Sequence, residues 1–117
     1  MFKQVKDNRG ILTAIEFNKI PFKPKRVFLL HNFDIKKIRG GHYHKKCKQY
    51  LFVISGKCDI ILENKKTSLK TELSDCVSGI QVNLPIYTKI TIQKPSKDCL
   101  ICVLCSKKYD PKDAYYD

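Results

Sequence analysis

Tryptophan is absent from this sequence, methionine occurs once, and only three of the 23 basic residues are arginine: Arg9, Arg26 and Arg39. No apolar run approaches the ~18 residues of a membrane-spanning helix. Residues 1–7 lack the apolar stretch of a secretory signal. A cytoplasmic chain with no membrane partner is therefore expected. No 3.6-residue apolar repeat persists for three turns, which argues against a helical domain. Internal repeats and low-complexity tracts are also missing. A chain of 117 residues leaves no room for a second folding unit and its linker, so one domain over 1–117 is expected. With 43% apolar and 29% charged residues, the composition is that of a globular chain rather than a disordered one. At this length roughly two thirds of the unfolded-chain surface is buried on folding, enough for a core without disulfides or metal.

What is abundant is lysine. The formal charge is +12, carried by twenty lysines that are scattered rather than gathered in blocks. Base readout and phosphate forks favour arginine, so a nucleic-acid partner is not expected. A lysine-biased solvated surface is the plainer reading, and an anionic small molecule is the next. Six cysteines invite a disulfide framework, but Cys99, Cys102 and Cys105 lie in one apolar run. On a strand Cys99 and Cys105 share a face and Cys102 lies on the other, so no zinc knuckle forms. Without a signal sequence, the cysteines read as small buried hydrophobes in a reducing compartment.

β-Branched residues and apolar alternation dominate. Strands are expected over 11–17, 26–31, 49–54, 57–62, 67–73, 79–84, 87–93 and 100–106, with Pro21 and Pro24 breaking the chain before the second. Ser55-Gly56 reads as a hairpin turn and 63–66 as the next turn. The one helical candidate is a single turn over 110–115, with Asp110 as cap and Pro111 at its first position. Short strands at this spacing predict an all-β sandwich or barrel.

The chemistry concentrates in Arg39-Gly40-Gly41-His42-Tyr43-His44-Lys45-Lys46-Cys47-Lys48-Gln49, followed by Gly56. Two of the three histidines stand at i and i+2, so in an extended segment both imidazoles face one way. A metal site, an acid/base pair and two plain surface histidines on an edge strand are the alternatives.

The spacing resembles the first cupin motif, in which His-x-His is followed by Glu and then Gly. Here the order is His42, His44, Gln49, Gly56, with Gln in place of the acidic ligand. Gly79 and Pro85 fit the first half of the second cupin motif, but Ile90 stands where a histidine is expected. A metal shell thus lacks a carboxylate and an imidazole, and two histidines alone rarely hold a divalent ion tightly. No metal and no cofactor are expected, and both imidazoles are free to titrate near neutrality. Were a metal required, His31 is the first candidate for the third ligand.

A narrower resemblance covers nearly the whole chain. Arg39 to Lys45 with Gln49 is similar to the Arg-Gly-x-His-Ala-His-Lys signature of the nucleoside-diphosphate-sugar 3,4-ketoisomerases, the WxcM-like cupins of deoxysugar pathways. Arg9-Gly10-Ile11-Leu12, Ile20-Pro21-Phe22 and Arg26-Val27 resemble the family's opening, and Tyr109-Asp110-Pro111-Lys112-Asp113 its C-terminal Tyr/Asp segment. Tyr43 replaces the signature alanine and is expected to face away from the imidazoles. Tyr87 replaces a tryptophan, and Leu29 and His31 fall in a strand that is often tyrosine-rich.

The resemblance implies a jelly-roll cupin barrel, a homodimer with an exchanged N-terminal strand, and a dTDP-linked keto sugar as partner. It implies that a ketone moves from C4 to C3 of a 4-keto-6-deoxyhexose through an enediol, on the way to 3-amino-3,6-dideoxy sugars of a surface glycan. His44 is the expected carbon acid/base, His42 the oxygen-proton shuttle, and Arg39 the enediolate or phosphate partner. Arg26 is the expected diphosphate contact, and Lys45, Gln49 and Tyr87 complete the expected substrate-binding set. A non-catalytic cupin that binds a sugar or nucleotide is the alternative. A 3,5-epimerase is a weaker one, because no suitably spaced histidine, acid and tyrosine set stands out.

Overall fold

A computed structural model describes residues 2–117. Its ten strands are β1 (Phe2–Asp7), β2 (Gly10–Ile15), β3 (Arg26–Leu30), β4 (Arg39–His42), β5 (Gln49–Ser55), β6 (Lys57–Asn64), β7 (Lys70–Val77), β8 (Gln81–Leu84), β9 (Thr88–Gln93) and β10 (Leu100–Cys105). They form two four-stranded sheets, β3-β10-β5-β8 and β4-β9-β6-β7, and a separate β1-β2 ladder. Every pairing is antiparallel. This is the expected all-β cupin sandwich.

The core lies between the two sheets. Leu51 and Val53 of β5 and Ile101, Val103 and Cys105 of β10 meet Cys58 and Ile60 of β6 and Ile90 and Ile92 of β9. Each large apolar side chain buried here stabilises the fold by about 1.5–3 kcal/mol. The alternate residues of β5 and β10 are not left in water. Phe52, Cys102 and Leu104 form a second cluster on the outer face, covered by Ile20 and, at its margin, Ile15 and Phe22. A strand buried on both faces reads as an unbroken apolar run, which explains the 100–105 sequence. As expected, Cys99 and Cys105 enter the inner core and Cys102 the outer cluster. All six cysteines are free thiols.

Boundaries shift where packing overrides local preference. The strand expected over 11–17 ends at Ile15 and a 3-10 turn, Phe17–Lys19, follows. The strand expected over 67–73 begins at Lys70 and runs on to Val77 as a polar sheet edge. The turn before it is closed by the Asn64 side-chain oxygen, which accepts from the N–H groups of Lys66 at 2.9 Å and Thr67 at 3.1 Å. The C-terminal turn is present as a 3-10 turn, Pro111–Asp113, and the Asp110 carboxylate accepts from Lys112 N–H.

One expectation is overturned. Residues 49–54 and 57–62 are not a hairpin. β5 pairs with β10 and β8, whereas β6 pairs with β7 and β9. At Gly56 the chain crosses from one sheet to the other. Its φ is +71°, and a Cβ there would stand 2.5 Å from Ser96 Oγ and 2.6 Å from the Cys99 backbone nitrogen. Only glycine allows this close crossing.

Among the described residues, no helix is long and apolar enough to cross a membrane. The N-terminal strand pairs with β2 rather than with either larger sheet. Gln4 ties it to the body by donating to the Ile54 carbonyl at 3.3 Å and accepting from Ser78 Oγ at 3.1 Å.

Candidate active site

A cleft of about 1250 Å³ opens at one end of the sandwich, between the strands and the C-terminal tail. Arg26 of β3, Arg39 and His42 of β4, Gln49 of β5 and the following loop residue His44 all line it. Five of the seven expected site residues are thus brought together although they come from three strands and a loop.

β4 is unusual in carrying two glycines. Gly40, at φ +99°, brings its backbone so close to β9 that a Cβ would meet the Ile90 carbonyl oxygen at 2.4 Å. The ladder between β4 and β9 shifts register after Gly40. The irregularity sets the position of His42, which pairs opposite Ile90. His44 lies beyond the strand. Between the two, Tyr43 forms an isolated bridge with Tyr115. Both histidines face the cleft, with ring centroids 5.2 Å apart and planes nearly perpendicular at 88°. The Tyr43 ring is buried on the other side, stacked between Tyr87 and Tyr115, as expected.

Burial holds His42 below its ordinary imidazole range, and the charges of His44 and Arg39 add to this. His42 therefore favours its neutral form more than a free imidazole does. His44 Nδ1 lies 2.5 Å from the backbone carbonyl oxygen of Asp113 and 3.7 Å from its carboxylate. The His44 carbonyl accepts from Tyr87 N–H at 2.7 Å.

Arg26 places its guanidinium over the rings of Phe28, at 4.9 Å, and Tyr109, at 5.1 Å. Lys25, Lys107 and Lys108 line the same cleft, which makes it basic. Gln49 stands at the start of β5 with its amide directed to Cys105 Sγ, at 3.6 Å. Ile90 is buried in the core. Among the described residues, no three His, Cys, Asp or Glu side chains gather so as to hold a metal ion. His31 is exposed beyond the end of β3 and does not line the cleft.

Lys45 and Tyr87 are not brought into the cleft wall. The Lys45 ammonium sits 4.1 Å over the Tyr115 ring, and Tyr87 stacks on Tyr43 beneath the Lys66 ammonium. Tyr87 has a φ of +69°, and its ring does not line the cleft. It reaches the site through the backbone hydrogen bond from its N–H to the His44 carbonyl rather than through its ring.

Three cleft residues carry no sequence signal of their own. Cys47 lines the wall, and interaction with the Cys105 thiol holds its thiol below the ordinary range against the opposing effect of burial. Tyr116 lies 5.7 Å from the His42 ring. Asp113 is the only charged side chain that is buried among the described residues. Its one trace in the sequence is its place in the C-terminal Tyr/Asp segment.

Two packed antiparallel sheets with a cleft lined by an imidazole pair and two arginines define a cupin. The family model described as WxcM-like, C-terminal, matches residues 1–117, and the chain belongs to that family. It is 36% identical over 113 residues to a TDP-4-oxo-6-deoxy-alpha-D-glucose-3,4-oxoisomerase of Aneurinibacillus thermoaerophilus, covering 96% of this chain and 80% of that one. A mutant of the 3,4-ketoisomerase QdtA from Thermoanaerobacterium thermosaccharolyticum, solved with TDP-4-keto-6-deoxyglucose, superposes with a TM-score of 0.81 at 30% identity, over 99% of this chain and 83% of that one. The WlaRB TDP-quinovose 3,4-ketoisomerase of Campylobacter jejuni gives 0.80 at 33% identity, over 99% and 88%.

Proposed function

We propose that this protein is a 3,4-ketoisomerase that converts a TDP-linked 4-keto-6-deoxyhexose into its 3-keto isomer. The observation that carries the reading is the pair of imidazoles on one cleft wall, 5.2 Å apart, beside Arg39. The C3 hydrogen is acidified by the C4 carbonyl. His44 removes it as a proton, and the electron pair of the C–H bond forms the C3–C4 double bond while the carbonyl electrons move to O4. Arg39 steadies the resulting negative charge. His42, whose burial favours the neutral ring, takes the O3 proton and delivers one to O4. His44 then returns a proton to C4, and the C3 ketone forms. No proton or electron is gained or lost overall.

Arg26 and the lysines beside it suit the diphosphate, because a guanidinium forks onto phosphate oxygens. Gln49 is left to hold the sugar or to steady the wall beside Cys105. The product carries a ketone where a 3-aminotransferase would place an amine.

The protein works as a homodimer in this reading. Val27 and Leu29 on the outer face of β3 and Ile11 and Leu12 on β2 are exposed apolar side chains, and β3 is a free sheet edge. Edges of this kind are covered by another strand, and the N-terminal hairpin of a second copy is the expected cover. A dimeric mass at micromolar concentration is expected.

Incubating the protein with TDP-4-keto-6-deoxyglucose in D₂O and following the sugar by NMR tests the activity. The expected result is a 3-keto product deuterated at C4, formed at an unchanged rate after chelation. Binding of TDP without any isomer or exchange would establish a non-catalytic sugar-nucleotide cupin instead.

A further inference from the structure

We propose that Asp113 is the positioning residue of the site, fixing His44 as the Nδ1–H tautomer so that unprotonated Nε2 is left for the cleft. The inference rests on the reading of His44 as the carbon base. His44 has no ladder to orient it: β4 ends at His42, and the next bridge belongs to Tyr43. Its ring is held instead from the C-terminal tail. The Asp113 carbonyl oxygen, 2.5 Å from Nδ1, can only accept a hydrogen bond. The proton of the neutral ring must then sit on Nδ1, and the lone pair that abstracts a proton must sit on Nε2.

The Asp113 side chain puts its own carbonyl in that place. Asp113 is 4% exposed, and among the described residues its carboxylate has no lysine or arginine ion-pair partner. Backbone N–H groups compensate its burial instead. Oδ1 accepts from Lys45 at 3.0 Å and Lys46 at 3.2 Å, and Oδ2 from Lys46 at 3.3 Å and Cys47 at 3.1 Å. Three converging donors leave no acceptor for an amide NH₂, so this pocket selects a carboxylate over its isostere. Asp110 and Pro111 stiffen the turn from which Asp113 projects, and Asp113 N–H closes it onto the Asp110 carbonyl at 3.1 Å. One buried side chain therefore clamps the loop that follows His44 and seats the carbonyl on its ring. When His44 carries the abstracted proton, the same carboxylate, 3.7 Å from Nδ1, faces the imidazolium; His42 and Cys47 are the other titratable groups beside it.

The test is the imidazole nitrogen spectrum of ¹⁵N-histidine-labelled protein. Neutral His44 in the resting wild type is expected as Nδ1–H, and a predominant Nε2–H form would overturn the proposal even if no variant folds. In Asp113→Asn an Nε2–H population should appear, with kcat lower by about 10²–10⁴-fold and KM within about twofold. If that variant keeps the Nδ1–H form and loses only thermal stability, Asp113 is a loop clamp and the proposal fails. The tautomer needs no substrate, so absence of isomerase activity would sink the proposed function and leave this measurement standing.

Discussion

The two walls of the cleft are built in different ways. Arg26, Arg39, His42 and Gln49 stand on strands paired in antiparallel ladders, the β4–β9 ladder with a shift after Gly40. The tail wall has no such ladder. It is held by the Asp113 carboxylate, by the Tyr43–Tyr115 bridge, and by the Tyr43 hydroxyl donating to Asp117 at 2.9 Å. A ladder spreads the placement of one side chain over many bonds, whereas a strap concentrates it in a few. His44 lies where the two meet, bonded through its backbone to Tyr87 and through its ring to the tail.

The largest effect is expected at that meeting point. His44→Asn keeps hydrogen-bonding capacity but cannot carry a proton, so turnover should fall by about 10²–10⁴-fold while thermal melting and TDP binding stay near wild type. A variant with close to full rate would remove His44 from the mechanism and break the comparison.

Gly40→Ala attacks the ladder wall. The new methyl would sit 2.4 Å from the Ile90 carbonyl oxygen at a φ of +99°. The backbone conformation alone costs about 1–3 kcal/mol, so both stability and activity should drop together. Tyr116→Ala, on the tail wall, is the control. Tyr116 is 71% exposed, so its removal should change turnover several-fold with no shift in melting temperature. Equal stability losses in the two variants would show that the walls are not held differently.

Arg26→Met should raise KM for the nucleotide sugar by about tenfold, since it removes a charge-assisted contact, and should leave kcat nearly unchanged. Titration calorimetry with TDP checks the same loss without turnover.

The smallest effect concerns acid. Burial, followed by the charges of His44 and Arg39, puts the folded His42 below its ordinary value of 6.5. Above that pH both folded and unfolded chains hold it neutral, and it contributes no slope. As pH falls from 6.5 towards the folded value, the unfolded chain binds the proton first, so stability falls. His42→Gln should flatten that part of a denaturation profile measured from pH 7 to 5.

Much of this was legible from residue order. The apolar run at 100–105 and the Asp110-Pro111 turn start each report a local requirement, and each is met where expected. Ser55-Gly56 does not form the expected hairpin, because a glycine turn looks the same whether the next strand pairs with the last one or crosses to the opposite sheet. Lys45 and Tyr87 were misplaced for a similar reason. Alternation says which side chains share a face of a regular strand, but the chain leaves β4 after His42, and Tyr87 turns at positive φ. Asp113 gave almost no signal, because a buried aspartate and a solvated one in a charged tail are the same letter.

By itself, the amino-acid sequence determined the all-β class, the reduced cysteines, the imidazole pair and the family to which the signature belongs. These follow from periodicity, composition and motif, which act over a few neighbouring residues. The tertiary structure alone decided which sheet each strand joined, that five of the expected site residues share one cleft, and that the backbone carbonyl of Asp113, 69 positions after His44, meets its ring. Those outcomes depend on long-range pairing and on the burial of one charge against three peptide N–H groups, and neither leaves a local pattern to read.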